Sequence, residues 1–161
     1  MLKKYEFTKN FGEAVDQTDK TILCTLQENG RATYHELADE TGLTVPAVRE
    51  RIIKLRERGI IKGYYAVADS KLLNKDITAF IMIDSVAIHY QDLIDYAKQD
   101  TAVQECHSIT GGGSHLLKIR TKNTVTLEEL LSKIQRWPGV NRTETHVVLS
   151  TFKESTFIEP E

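Results

Sequence analysis

Residues 32–64 place the narrowest limits on the fold, because they carry the stop and start signals of two short helices joined by a tight turn. Gly42 is placed to end the first helix, since glycine adopts a positive φ without steric cost. Thr44 is a good N-cap for the second helix, and Pro46 falls in its first turn, where a missing N–H group costs nothing. The stretch therefore predicts a helix-turn-helix at about residues 34–53.

The second helix of this pair has one apolar stripe and a basic surface. Val48, Ile52 and Leu55 recur at i, i+4 and i+7, which predicts one buried face. Between Thr44 and Lys62 six Lys or Arg side chains stand against two Glu side chains, a local charge of +4 in a chain of net charge −2. Such a basic face is typical of an element that binds phosphates. We therefore interpret it as a recognition helix for the major groove of double-stranded DNA, rather than half of a helical hairpin that only packs.

The first turns of a recognition helix reach deepest into the groove, so the DNA contacts are expected there. Arg49 could pair bidentately with a guanine, and Ala47 could touch a thymine methyl group. Arg51 is equally compatible with a phosphate contact and with an ion pair inside the domain, and Glu50 could be a solvated charge. The predicted DNA contacts are Arg31, Tyr34, His35, Thr44, Pro46, Ala47, Arg49, Glu50, Arg51 and Lys54.

The flanking residues extend the helix-turn-helix to a small domain. A helix begins near Asp16, which can cap it, and ends at the Asn29-Gly30 pair. The sequence IIKGYY at residues 60–65 predicts the first strand of a β-wing. These elements predict a winged helix-turn-helix domain over residues 15–64. Residues 1–14, which are polar and irregular, are expected to form an N-terminal arm.

The second half of the chain alternates strands and helices. After a hinge at residues 65–77, the order strand, helix, strand, strand, helix, strand predicts a ferredoxin-like βαββαβ domain over residues 78–153. The open face of its antiparallel sheet would carry Phe80 and Met82 into water, which suggests that a second subunit covers it. Residues 154–161 are expected to form a C-terminal tail. The fold class is therefore α+β.

Composition and motif content exclude several classes of protein. The chain is 40% hydrophobic and 27% charged, which is typical of a globular protein. No apolar run approaches about 18 residues, so no membrane span is expected. Cys24 and Cys106 fall in apolar periodic segments and are expected to be free thiols in a reducing cytoplasm. The histidines lack metal-ligand spacing, and no nucleophile or phosphate-loop motif is present, so no metal, cofactor or enzymatic activity is expected.

Four segments at specific spacing resemble one known family. They are VDQTDKTIL at residues 15–23, RATYHELADETGLTVPAVRERIIKLRERGIIKGYYAV at 31–67, the Thr110-Gly111 turn, and PGVNRTET at 138–145. Over about residues 15–153 the chain resembles the Lrp/AsnC, or feast/famine, transcription regulators. The resemblance implies an N-terminal DNA-binding domain and a C-terminal domain that binds a small effector, usually an amino acid. It also implies homodimers that commonly assemble into octamers.

The predicted effector turn departs from the family pattern. The family turn usually reads Thr-Gly-x-x-Asp followed by an aromatic residue, whereas this chain has Ser114 at the acidic position and His115 at the aromatic one. A serine hydroxyl offers an ammonium group only a neutral hydrogen bond, but the glycine N–H groups can approach a carboxylate closely. The predicted effector contacts are Thr110, Gly111, Gly112, Gly113, Ser114 and His115. The alternative is a hairpin turn that requires positive φ and binds nothing.

The sequence therefore supports one leading function and two alternatives. The leading hypothesis is a sequence-specific transcription regulator that responds to an amino acid or a related metabolite. An architectural DNA-binding protein without an effector is the second, favoured by Ser114 and His115. The third is an enzyme, because sirohaem decarboxylases resemble the family in both domains. Its candidate residues are His107, His115 and Arg120, and the positive recognition helix argues against it.

Overall fold

The computed structural model describes residues 15–161, so the predicted arm at residues 1–14 lies outside the described residues. The described chain divides into two compact units. The helical unit consists of residues 15–66 and 154–161, and the sheet unit consists of residues 67–153. None of the described helices is long and apolar enough to cross a membrane.

Three helices form the helical unit: α1 (Gln17–Glu28), α2 (Tyr34–Thr41) and α3 (Val45–Glu57). As expected from the sequence, Asp16 caps α1, where its Oδ1 accepts a hydrogen bond of 2.8 Å from the Asp19 N–H. All three helices contribute apolar side chains to one core. These are Ile22, Leu23, Leu37, Ala38, Val48, Ile52 and Leu55. The burial of Val48, Ile52 and Leu55 confirms the predicted apolar stripe of α3.

The strand predicted at residues 60–65 is wrong, because the described chain has no strand between the end of α3 and Ile77. The N–H groups of Ile60 and Ile61 both donate to the carbonyl oxygen of Leu55, at 2.9 Å and 3.2 Å, and so close the end of α3. A wing strand needs a partner strand for its remaining hydrogen bonds, and the described helical unit offers none. The segment therefore continues as irregular chain without a ladder.

Four strands, two α-helices and one 3₁₀ turn form the sheet unit. In chain order they are β1 (Ile77–Ser85), a 3₁₀ turn (Ala87–His89), α4 (Tyr90–Gln99), β2 (Val103–Ser108), β3 (His115–Thr121), α5 (Thr124–Ile134) and β4 (Val140–Val147). The sheet is antiparallel with the strand order β2-β3-β1-β4. The predicted βαββαβ order is thereby confirmed.

The two faces of this sheet differ in polarity and burial. One face packs against α4 and α5 and includes the fully buried Ile81, Leu117 and Ile119. The other, which we call the open face, holds Phe80, Met82 and Leu116, all half-buried. Charged side chains surround these three residues, because β1, β2, β3 and β4 place Asp84, Glu105, Lys118 and Glu144 on the same face.

Candidate nucleic-acid interface and effector turn

The first turn of α3 is built by the predicted turn and cap residues. Gly42 adopts φ +68°, and the Leu43 N–H then donates to the carbonyl oxygen of Ala38 at 3.1 Å, which reverses the chain after α2. Thr44 caps α3 by accepting a 3.4 Å hydrogen bond from the Ala47 N–H. The exposed Pro46 lies in that first turn. The helix-turn-helix therefore forms through local side-chain and backbone chemistry.

The start of α2 is fixed by a capping box. The Thr33 hydroxyl accepts from the Glu36 N–H at 3.2 Å, and the Glu36 carboxylate accepts from the Thr33 N–H at 2.6 Å. The hydrogen bond from the Thr33 N–H to the carboxylate, followed by a 2.9 Å bond from the Thr33 hydroxyl to the same oxygen, holds the pKa of Glu36 below its ordinary value. These bonds leave Tyr34 and His35 exposed in the first turn, at the positive end of the helix dipole. This end of α2 can hold a phosphate group.

Most of the predicted DNA contacts are accessible. The exposed ones are Arg31, Tyr34, His35, Thr44, Pro46, Arg49, Glu50 and Lys54, and Ala47 is half-buried. Arg49 has no ion-pair partner in the described part of the chain, so its five N–H donors are available to a base. Lys54 Nζ lies 2.8 Å from Glu50 Oε1, an exposed pair one helical turn apart that lowers the pKa of Glu50.

Arg51 takes the second of its two predicted roles. Its Nη1 lies 2.6 Å from Asp16 Oδ2 and 2.9 Å from Asp19 Oδ1, so it joins α3 to the start of α1. The Asp19 side chain is only 10% exposed. Arg51 is therefore an internal positioning residue in this structure, held through its Nη1 atom.

We expect Arg51→Met to lower the free energy of unfolding of the helical unit by about 1–3 kcal/mol, because Asp19 would keep its charge without its cationic partner. Urea unfolding followed by far-UV circular dichroism measures this loss. Arg56→Met, at an exposed position of the same helix, is the matched control and should change stability little. Equal stability of the two variants would show that the ion pairs contribute nothing net.

The same cluster predicts a pH dependence. The hydrogen bond from the Asp19 N–H, followed by the bond from Arg51, holds the pKa of Asp16 below its ordinary value of 3.8. A lowered folded-state pKa stabilises the folded state above the unfolded-state pKa, and this stabilisation is lost as pH falls through the folded value. The difference in stability between wild type and Arg51→Met should therefore stay constant from about pH 7 to about pH 5 and narrow below that, as the pH falls through the ordinary value of 3.8 towards the lower folded-state pKa.

The predicted effector turn connects β2 to β3 and is tied to β1 at its end. The Ser114 N–H donates to the Ile83 carbonyl oxygen at 2.8 Å, and the Ile109 N–H donates to the Ser114 carbonyl oxygen at 3.0 Å. Within the described residues, the N–H groups of residues 110–113 make no such backbone bond. Four consecutive N–H groups at one turn can form a concave site for an anion.

Two of the three glycines are required by the turn itself. Gly111 has φ +108°, and a Cβ atom on Gly113 would lie 2.6 Å from Met82 Cγ and 3.0 Å from the Ile83 carbonyl oxygen. Gly112 is different, because a Cβ atom there would meet only Met82 Cε, at 3.9 Å. The turn alone does not explain why position 112 lacks a side chain.

The side chains of Ser114 and His115 are directed into the sheet unit. Ser114 Oγ lies 2.8 Å from Ser85 Oγ and donates to the Ile83 carbonyl oxygen at 3.1 Å, and His115 Nδ1 lies 3.0 Å from the same Oγ. The His115 ring is fully buried and packs edge-on against Tyr90, with ring centroids 4.8 Å apart. Burial lowers the pKa of His115 and favours its neutral form.

The structure therefore corrects the prediction that His115 contacts an effector at the turn. It pairs with Ile83 across the β1–β3 ladder and so shares the buried face with Leu117, whereas the effector turn is at the surface.

The enzyme alternative fails a related geometric test. His107 pairs with Leu116 on the open face, and Arg120 lies on that face as well, so neither converges with His115.

Comparison with known proteins gives matches along most of the chain. The model of the Lrp/AsnC ligand binding domain matches residues 78–158, and a winged helix-turn-helix DNA-binding model matches residues 15–62. HTH-type transcriptional regulator FL11 of Pyrococcus horikoshii is 37% identical over 142 residues, which are 88% of this chain and 94% of that protein. The leucine-responsive regulatory protein of Escherichia coli is 31% identical, covering 91% of this chain and 92% of its own length.

Solved structures show the same fold. A feast or famine regulatory protein of Mycobacterium tuberculosis complexed with L-methionine matches with a TM-score of 0.85 and 31% identity, over 91% of this chain and all of that one. Escherichia coli AsnC matches with a TM-score of 0.83 and 29% identity, over 90% of this chain and 99% of that one. Both identities are high enough for the likeness to reflect common descent as well as fold.

Proposed function

The chain belongs to the Lrp/AsnC family of DNA-binding transcription regulators, and on that premise we propose that it reads operator DNA through α3 and responds to an amino acid. The exposed first turns of α3, with the unpaired Arg49, carry this proposal. Arg49 contacts a guanine edge, while Thr44, Pro46 and Ala47 approach neighbouring bases. Relatives that are named as transcription regulators support this function and give no ground for an enzymatic one.

Phosphate contacts surround the base-reading turn. Arg31, Tyr34 and His35 lie at or just before the exposed start of α2, and Lys54 lies further along α3. Lys54 must exchange its pairing with Glu50 for a phosphate oxygen, at little cost because both side chains are exposed and water screens their attraction. These contacts fix the register of α3 on the duplex without reading its sequence.

The effector binds at the turn of residues 110–113. Their N–H groups donate hydrogen bonds to its carboxylate, and Gly112 leaves them open to approach. Ser114 contributes through the position of its backbone, since its hydroxyl is engaged by Ser85 and Ile83. An amino acid is the ligand class because the related regulator of M. tuberculosis was solved with L-methionine.

The open face of the sheet mediates homodimerisation. Phe80, Met82 and Leu116 form an apolar centre within a charged surround, which is the anatomy of a subunit interface. A two-fold dimer presents two copies of α3 to half-sites about one helical turn, roughly 34 Å, apart. Assembly of four dimers into an octamer, which the family resemblance implies, adds further DNA contacts and bends or wraps the DNA.

Binding to the DNA upstream of the protein's own gene tests this function. The protein is titrated against that DNA and against random DNA across a range of salt concentrations, with and without a mixture of amino acids. Saturable binding that is tighter to the upstream DNA and changes with amino acids is expected. Binding that depends steeply on salt but is indifferent to sequence and amino acids supports the architectural alternative, and no binding at all contradicts the proposal.

Gly112→Val is expected to abolish the response to amino acids while leaving the fold and basal DNA binding intact. A branched side chain there finds space, yet it covers the neighbouring N–H groups. The amino-acid concentration for half-maximal response should rise by about tenfold or more, the equivalent of about 1.4 kcal/mol. Thr101→Val, at an exposed turn of the same unit, is the control. An unchanged response in Gly112→Val would remove the effector from this turn.

A further inference from the structure

The C-terminal tail crosses from one unit to the other. Residues 154–161 follow the last strand of the sheet unit, and the matched ligand-binding model extends to residue 158. In the structure, however, these residues belong to the helical unit. The chain therefore passes between the units twice, at residues 66–67 and again at residues 153–154.

One glutamine side chain holds the tail. Gln27 Nε2 donates to the Ile158 carbonyl oxygen at 2.8 Å, and the Ile158 N–H donates to Gln27 Oε1 at 2.7 Å. The amide group thus satisfies both backbone groups of one residue, as a neighbouring strand would do. The Phe157 N–H is also engaged, by Ser155 Oγ at 3.1 Å, which holds the adjoining tail in a turn.

The position of Gln27 gives this contact a consequence for DNA binding. Gln27 lies in the last turn of α1, while Asp16 and Asp19 at the other end of α1 hold Arg51 of α3. Helix α1 is thus connected to the tail at one end and to the recognition helix at the other. Gln27 is exposed and outside the core of the helical unit, so the fold of that unit does not depend on the tail contact.

We propose that residues 154–161 are an intrachain tether, docked on α1 through Gln27, which makes DNA binding follow the state of the sheet unit. The chain passes between the units at residues 66–67 and again at residues 153–154. Docking of the tail closes a loop through the second passage and so lowers the number of conformations open to the chain. Two solvent-exposed hydrogen bonds make docking reversible, so the tether is a two-state element that an effector can bias. Its coupling role rests on the effector response proposed above.

The docking itself is tested without DNA or effector. Gln27→Ala removes both hydrogen bonds and retains a good helix former, and a chain lacking residues 154–161 removes the tail. Gln17→Ala is the matched control, since Gln17 is exposed on the same helix and its side chain makes no hydrogen bond in the described chain. Exchange of the Ile158 amide hydrogen should become about tenfold faster in Gln27→Ala and stay unchanged in Gln17→Ala.

Distances between the units provide the second measurement. Spin labels at Glu57 and Lys122, both exposed, are placed in a background without Cys24 and Cys106. The distance distribution should be narrow in the full chain and in Gln17→Ala, and broad in both Gln27→Ala and the truncated chain. Wild-type exchange and an equally narrow distribution in Gln27→Ala would overturn the tether. Ile158 protection that disappears on dilution to monomer would overturn the intrachain contact in favour of a second copy.

The coupling is measured last, as the change in DNA affinity on addition of amino acids. Without effector, Gln27→Ala should bind DNA with wild-type affinity. The change in affinity on addition of amino acids should be at least about threefold smaller in Gln27→Ala than in wild type, which is within the range of typical coupling energies. A full response with a broadened distance distribution would overturn the coupling role. If wild type itself shows no response, the effector proposal fails, while the exchange and distance results still decide whether the tail docks.

Discussion

Arg49→Ala is expected to weaken binding to operator DNA by about ten- to a hundredfold, the equivalent of about 1–3 kcal/mol for a bidentate contact to guanine. The guanidinium is exposed, lacks an ion-pair partner within the described residues and lies on the first turns of α3 behind the Thr44 cap. Binding to random DNA should weaken less, because no base is read there. Competition titrations of operator against random DNA measure the specificity ratio directly.

Lys54→Ala is the matched comparison for Arg49→Ala, because both remove one exposed cation from α3. It should weaken binding to operator and random DNA alike, and it should lower the slope of log affinity against log salt by roughly one. Thermal unfolding shows that each variant is folded. If Arg49→Ala also lost affinity equally on both DNAs, Arg49 would be a phosphate contact and base reading would lie elsewhere on α3.

The helix-turn-helix could be predicted closely because its boundaries are set by local chemistry. Thr44 bonds to the N–H three residues away, and Gly42 is in the left-handed conformation that ends α2. The core of this unit also follows from spacing, since Val48, Ile52 and Leu55 repeat with the helical period and are buried. Each signal lies within a few residues of the feature that it determines.

Features that depend on distant partners were predicted less well. A strand at residues 60–65 needs a second strand, and no short pattern in the sequence supplies or excludes one. The burial of His115 could have been anticipated, because it alternates in phase with Leu117 and Ile119 along β3. The contact between Gln27 and Ile158 could not, since it joins residues 131 positions apart through backbone atoms that every residue has.

Leu116→Asp is expected to convert the proposed homodimer into a monomer. Leu116 is half-buried on the open face near the start of β3, beside Met82 on β1 and His107 on β2. An isolated carboxylate buried in an apolar interface costs several kcal/mol, so the dissociation constant should rise by at least about a hundredfold. The fold of the sheet unit should persist, because its core lies on the opposite face. Sedimentation velocity measures the change.

Val125→Asp is the control for this experiment, since it places the same charge on the exposed surface of α5, away from the open face. It should leave the dimer intact. Operator affinity of Leu116→Asp should also fall, because two copies of α3 on one dimer bind with the advantage of high effective concentration and a monomer loses it. A Leu116→Asp chain that remains dimeric would move the interface away from the open face. A monomer with full operator affinity would instead show that one α3 suffices.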